Sequence, residues 1–278
     1  MKFTKMHGCG NDYVYVNCLE ETISDRSSLA IRVSDRHFGI GSDGLICIDP
    51  SEVADFKMDM YNADGSQGTM CGNGIRCVGK YVYDYGLTDK TVITVETLGG
   101  IKTLHLNVEN NVVTSVRVCM GAPIFLSKQI PVDVETEEVV MYPLNIMGTT
   151  YDITCVSMGN PHAVVFVDSV DAMDLAKIGP YFENHPIFPN RINTEFVEVL
   201  PDDNLKMRVW ERGSGETLAC GTGTCAALAA AVVCGKAKRS ATVFVRGGAL
   251  DICWDAADNM IYMTGPATVV YDGIINIL

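Results

Sequence analysis

A chain of 278 residues has room for two ordinary domains, and with 47% hydrophobic and 20% charged residues it has the balance of a protein with a core, not of a disordered chain. A formal net charge of −13 at pH 7, with no basic run, excludes the clustered Lys and Arg that a nucleic-acid backbone requires. Eleven cysteines, an odd number without Cys-x-x-Cys spacing, exclude a disulfide framework and a zinc ribbon and fit thiols kept reduced.

Met1 to Gly8 lacks the continuous apolar stretch of a secretory signal, and the longest apolar run, Ala226 to Cys234, is too short to span a membrane. The expectation is a cytoplasmic protein without a membrane partner. Along the chain, Tyr13 to Val16 and Phe56 to Tyr61 read as strands, and Cys71-Gly-Asn-Gly precedes a helical stretch from Ile75 to Tyr85. Thr91 to Glu96 and Val112 to Val118 are further β-rich runs, and Met120-Gly-Ala-Pro marks a boundary turn. Beyond it come strands at Ala163 to Val167 and Leu205 to Trp210, then Cys220-Gly-Thr-Gly and a second helix, Thr224 to Cys234. That helix is apolar on every face, the mark of one buried all round. Ala241 to Val245 and Ala267 to Tyr271 complete the strands.

The two Cys-Gly-x-Gly segments are offset by 149 residues, and the same offset aligns Gly10-Asn11 with Gly159-Asn160, Lys57-Met58 with Lys206-Met207, Gly86 with Gly235 and Gly99 with Gly248. A single register without gaps predicts two homologous halves. The expected domains are an N-terminal half, 1–119, and a C-terminal half, 120–267, with the final strand, 268–278, free to cross back to the first half. The expected class is α+β (mixed), with two pseudo-symmetric halves, each a strand-rich, barrel-like shell around a central helix. The active site would lie in the cleft between them.

Such a repeat would set Cys71 and Cys220 on opposite sides of a ligand. Inverting a stereocentre by deprotonation needs a base on one face and an acid on the other, and a thiolate with a thiol supplies both. A cysteine at a helix start is expected to have a lowered pKa, because free backbone N–H groups and the helix dipole favour the thiolate. The flanking glycines permit close backbone approach and an anion-binding nest. Two alternatives stay open at this point. Gly221-x-Gly223-x-x-Ala226 has the outline of a dinucleotide turn, although the run that follows ends in Arg246 rather than an acid. Paired cysteines also suit a redox sensor.

Three segments of the first half resemble those of diaminopimelate epimerases: His7-Gly-Cys-Gly-Asn-Asp-Tyr, Asp35-Arg-His-Phe-Gly-Ile-Gly-Ser-Asp-Gly, and Tyr61-Asn-Ala-Asp-Gly-Ser-Gln-Gly-Thr-Met-Cys-Gly-Asn-Gly-Ile-Arg-Cys. So do Gly159-Asn-Pro-His-Ala-Val, Arg191-Ile-Asn-Thr, and Trp210-Glu-Arg-Gly-Ser-Gly-Glu-Thr-Leu-Ala-Cys-Gly-Thr-Gly-Thr-Cys in the second. The resemblance runs along essentially the whole chain. It implies interconversion of LL- and meso-diaminopimelate, for lysine and peptidoglycan, by an enzyme with neither pyridoxal phosphate nor metal. It makes Cys71 and Cys220 the catalytic thiols, and His162 and Glu211 the residues that tune them. It puts substrate binding on Asn11, Asn62, Gly72, Asn73, Asn160, Asn193, Glu211, Arg212, Gly221 and Thr222. Gly44 departs from the pattern, standing where some members carry a Gln that reaches the ligand. Proline racemases, which use similar cysteine pairs, are the nearest alternative within the fold, and an exposed edge strand would allow a homodimer.

Overall fold

A computed structural model describes residues 1–276. In chain order the elements are β1 (Lys2–Gly8), β2 (Asn11–Asn17), α1 (Arg26–Ser34), β3 (Gly44–Asp49), β4 (Phe56–Asn62), β5 (Gln67–Gly68), α2 (Gly72–Asp84), β6 (Val92–Thr97), β7 (Gly100–Glu109), β8 (Val112–Gly121), β9 (Tyr142–Ile146), β10 (Thr149–Ser157) and β11 (Pro161–Phe166). They continue with α3 (Leu175–Glu183), β12 (Asn193–Val199), β13 (Leu205–Glu211), β14 (Gly215–Thr217), α4 (Gly221–Val233), β15 (Ser240–Val245), β16 (Gly248–Trp254), β17 (Ile261–Gly265) and β18 (Thr268–Ile274). Strands dominate and helices are few, an α+β chain.

Two compact units divide it: Met1–Val118 with the segment from Thr264 onward, and Cys119–Met263. In the first, β18 returns to lie antiparallel on β1, and β1 pairs with β2. A parallel step joins β2 to β3, and β3 runs antiparallel to β4. The second unit repeats this with β10, β11, β12 and β13.

Successive strand residues point to opposite faces, and in both units both faces are covered. In the first, Val14, Val16, Leu45 and Cys47 pack under α1 with Leu29, Ala30 and Val33. The alternate residues turn to α2: the Tyr15 hydroxyl donates to Gly74 O at 3.2 Å, and Ile46 abuts Gly74. In the second, Ala163, Val165 and Phe196 join Leu175 and Phe182 of α3, while Glu195 abuts Gly223 of α4. Each such fully buried Phe, Leu or Val contributes about 1.5–3 kcal/mol. The polar residues His162 and Glu195, both without exposure, therefore occupy core positions on the helix-facing side.

Both central helices begin earlier than the sequence pattern suggests. They start at Gly72 and Gly221, immediately after the cysteines, so Gly-x-Gly forms the first turn instead of a preceding loop. Close approach explains the glycines: a Cβ at 74 would come within 2.6 Å of Ile46 Cδ1, and one at 223 within 2.6 Å of Glu195 Oε1. Glycine's poor helix propensity hides this turn from a reading of composition.

The gapless register also needs correction. It holds through the helices and their left-handed glycine ends, Gly86 (φ 72°) and Gly235 (φ 67°). After that the second unit is one residue shorter. The hairpins close at Thr97–Gly100 and Val245–Gly248, so Gly248 corresponds to Gly100 and not to Gly99.

Candidate functional site

Cys71 and Cys220 are the N-cap residues of α2 and α4, each in an extended conformation (φ −129°, ψ 117° and φ −119°, ψ 111°). Each sulfur accepts the N–H of the third residue of its helix, from Gly74 at 3.3 Å and Gly223 at 3.4 Å. Sulfur thus takes the place that a Ser or Asp oxygen fills in an ordinary cap. The thiols nevertheless do not become acidic. Burial pushes Cys71 up despite its amide hydrogen bonds, and pushes Cys220 up well above the usual thiol range, with the carboxylates of Glu211 and Glu195 adding to it. The expected lowering fails because the cost of an ion in a packed surrounding exceeds what the helix end returns.

In the first unit the Cys71 sulfur donates to Asn11 Oδ1 at 3.2 Å, and Asn73 Nδ2 lies 3.5 Å from the same oxygen. Asn11 is held by its other end, Nδ2 donating to Asp43 Oδ2 at 2.8 Å. Asn73 is braced by Arg76, whose Nη2 donates to Asn73 Oδ1 and whose Nη1 donates to Gly72 O, both at 3.0 Å. Asn62 pairs with Gly44 across β3 and β4. Its amide donates to Ser66 Oγ at 3.0 Å within its own turn.

In the second unit His162 Nδ1 is 2.7 Å from Glu195 Oε1 and its Nε2 is 3.0 Å from Asn160 Oδ1. Glu211 accepts from Thr217 Oγ1 in a very short bond and hydrogen-bonds Cys220; burial raises its carboxyl above the usual range. Cys220 Sγ lies 3.5 Å from Thr222 Oγ1. Asn193 donates to Pro161 O at 2.9 Å and accepts the Arg212 N–H at 2.9 Å, and Arg212 Nη1 donates to Asn190 O at 2.8 Å. Glu183 secures the same loop, accepting from Trp210 Nε1 at 2.8 Å and from Gly213 N at 2.9 Å.

Three residues at these cysteines escape a reading of the sequence: Tyr13, Arg76 and Glu195. The 149-residue offset carries a usable signal for two of them, since it pairs Tyr13 with His162 and Ile46 with Glu195. Gly44 also finds its explanation. A Cβ there would lie 2.1 Å from Tyr61 O and 2.7 Å from Tyr13 Cε1, so the Tyr13 ring fills the space a Gln would need. Among the described residues no group of three or more His, Cys, Asp or Glu is arranged to hold a metal ion.

The fold is shared with solved structures of low sequence identity. A Bacillus anthracis phenazine biosynthesis protein of the PhzF family superposes with a TM-score of 0.69 at 18% identity, covering 100% of this chain and 99% of that one. A hydroxyproline epimerase from Agrobacterium vitis, with bound trans-4-hydroxy-L-proline, gives 0.68 at 15% identity, over 98% of this chain and 90% of the other. Sequence narrows the class. The family model for diaminopimelate epimerase matches residues 3–126 and 154–270. Diaminopimelate epimerase of Acetivibrio thermocellus is 58% identical over 277 residues, covering 100% of this chain and 99% of that protein. The Methanococcus maripaludis protein of the same name is 55% identical over 277 residues, covering 100% of both chains. This chain belongs to the diaminopimelate epimerase family.

Proposed function

We propose that this chain interconverts LL-2,6-diaminopimelate and meso-2,6-diaminopimelate by two-base proton transfer, supplying lysine and peptidoglycan synthesis in the cytoplasm. The observation that carries the reading is the pair of cysteine N-caps, Cys71 and Cys220, at matching positions in the two halves of a family member.

In this reading one thiolate takes the α-hydrogen and the other thiol returns a proton from the opposite face, so the sulfurs exchange roles with direction. The capping N–H groups of the two helices stabilise the negative charge that forms beside the α-carboxylate. Asn11, Asn62, Gly72, Asn73, Asn160, Asn193, Gly221 and Thr222 hold the substrate's polar groups, with Glu211 and Arg212 as its charged partners. His162 and Glu211 set the protonation of Cys220, and no cofactor takes part. We also assign a homodimer, supported by the exposed apolar side chains Val270, Tyr271 and Ile274 on β18; sedimentation mass tests it.

The reaction itself is tested by incubating the protein with LL-diaminopimelate in heavy water. Meso product bearing one α-deuterium is expected. Absence of both deuterium and epimer, or turnover of hydroxyproline alone, would overturn the assignment.

A further inference from the structure

The segment Asp35 to Gly44 supplies none of the residues to which a role is given above, yet its side chains lead to Cys71. Asp43 stands immediately before β3, and its carboxylate collects three donors. Arg36 Nη2 donates to Oδ1 at 2.9 Å, while the Asp12 N–H and Asn11 Nδ2 donate to Oδ2 at 3.1 Å and 2.8 Å. The backbone of Asp43 is fixed as well: its N–H donates to Asp12 O at 2.8 Å, and its carbonyl accepts from the Ala63 N–H at 3.0 Å. Asn11 in turn meets the Cys71 sulfur through Oδ1, at 3.2 Å.

We infer that Asp43 is a positioning residue for Cys71: it holds Asn11 by the amide nitrogen and thereby turns the amide oxygen to the thiol. This rests on the two-thiol reading proposed above.

A carboxamide can face a neighbour with either end, and its other partners decide which. An ionised carboxylate offers no hydrogen, so Asn11 can turn only its NH2 to Asp43, and its oxygen is the end presented to the sulfur. The far side of the thiol agrees. Asn73 Nδ2 lies 3.5 Å from the same Asn11 oxygen, and Asn73 Oδ1 accepts from Arg76 Nη2 at 3.0 Å; a guanidinium has donors only. Each amide is thus directed from behind by a charged group that can play a single role. The second half is built differently. The 149-residue offset puts Ile192, wholly buried, at the place of Asp43, and Asn160 has His162 Nε2 at 3.0 Å from its oxygen. The charged groups facing Asp43 are Arg36 and Asp12, the latter also paired with Lys5 at 2.7 Å. At the sulfur the titratable groups are Arg76, Tyr13, Tyr15 and Cys77, and every variant below retains them.

The test is a double-mutant cycle of Asp43→Ala and Asn11→Ala. Iodoacetamide alkylation of Cys71 and of Cys220 is followed by peptide mass mapping from about pH 7 to about pH 10, a range that spans ordinary thiol titration. Asp43→Ala releases the Asn11 amide and lets its N–H end meet the sulfur, which favours the thiolate. At neutral pH Cys71 should react about fivefold faster, as expected for losing one hydrogen bond to the neutral thiol, and its profile should move to lower pH. The Cys220 profile should stay in place. In the Asn11→Ala background, removal of Asp43 should add nothing, because the two residues act through one contact. Asp43→Asn keeps the shape and can meet either end of Asn11, so it should show a smaller shift of the same sign even where the alanine variant fails to fold. Parent-like Cys71 profiles in the Asp43 variants, an undiminished Asp43 effect without Asn11, or equal shifts of both cysteines would overturn the inference. Because alkylation needs no substrate, the result is separate from the heavy-water experiment, whose failure would remove the diaminopimelate assignment and leave the positioning of Cys71 intact.

Discussion

His162 Nδ1 and Glu195 Oε1 lie 2.7 Å apart with neither side chain exposed, whereas the corresponding pair in the first half is Tyr13 and Ile46. The same two places in one fold thus hold a buried charge-capable pair once and an aromatic–aliphatic pair once. Glu195 Oε2 has no hydrogen-bond partner among the described residues, so the pair is incompletely satisfied.

Glu195→Ile alone should therefore destabilise by about 3–5 kcal/mol, since it strands His162 in the core. Importing the first half's arrangement with Glu195→Ile and His162→Tyr together should recover a large part of that loss. Urea denaturation of the two variants checks this; a double variant no more stable than the single one would contradict it.

Much of this arrangement is legible in the sequence and some is not. The alternation in Tyr13 to Val16 and the all-apolar helix after Cys220 identify strands and a buried core helix, because burial periodicity is written in residue type. The helix starts at Gly72 and Gly221 are hidden, since glycine is explained only by Ile46 and Glu195 pressing on the first turn. The residue lost before β15 is likewise invisible until strand pairing replaces Gly99 by Gly100 as the partner of Gly248. Thiol acidity is misread for a related reason: the helix end is local, but the burial that outweighs it is tertiary.

Gly44→Gln, which restores the side chain that some relatives carry, should be poorly tolerated. Its Cβ would meet the Tyr61 carbonyl at 2.1 Å, and a backbone atom cannot step aside as a side chain can. A loss of about 1–3 kcal/mol is expected. Gly44→Gln combined with Tyr13→Ala should be no more stable than the two single losses added together, because Tyr61 O is the closer obstacle and remains in place. Full recovery of the Gly44→Gln loss in the Tyr13→Ala background would place the obstruction in the Tyr13 ring instead.

Stability should fall in alkali. Burial raises the Cys77 thiol to about 11 and also raises Cys71 and Cys220, so the folded chain holds these protons more tightly than the unfolded one. Their contribution is fully present below the unfolded thiol value of about 8.5 and is lost as pH rises through the folded values. Melting temperature should drop between about pH 8.5 and about pH 11, and the drop should be shallower in Cys77→Ala, whatever that variant's starting stability. Equal slopes would show that this thiol does not contribute.

Cofactor independence predicts that epimerisation survives dialysis against a chelator and treatment with hydroxylamine. The two capped helix ends then carry the electrostatic stabilisation by themselves. Loss of turnover on dialysis, restored by a divalent metal, would refute this.

The central claim is that both cysteines act on one α-carbon. Its most direct test is turnover of LL- and of meso-diaminopimelate by Cys71→Ser and by Cys220→Ser, each compared with the parent protein and each checked by melting temperature. Serine preserves the cap but is far too weak an acid, so each variant should stay folded and lose about 10²-fold or more of its rate in both directions. Near-parental turnover by either variant would contradict the account, because a two-base inversion cannot proceed with one of its bases removed.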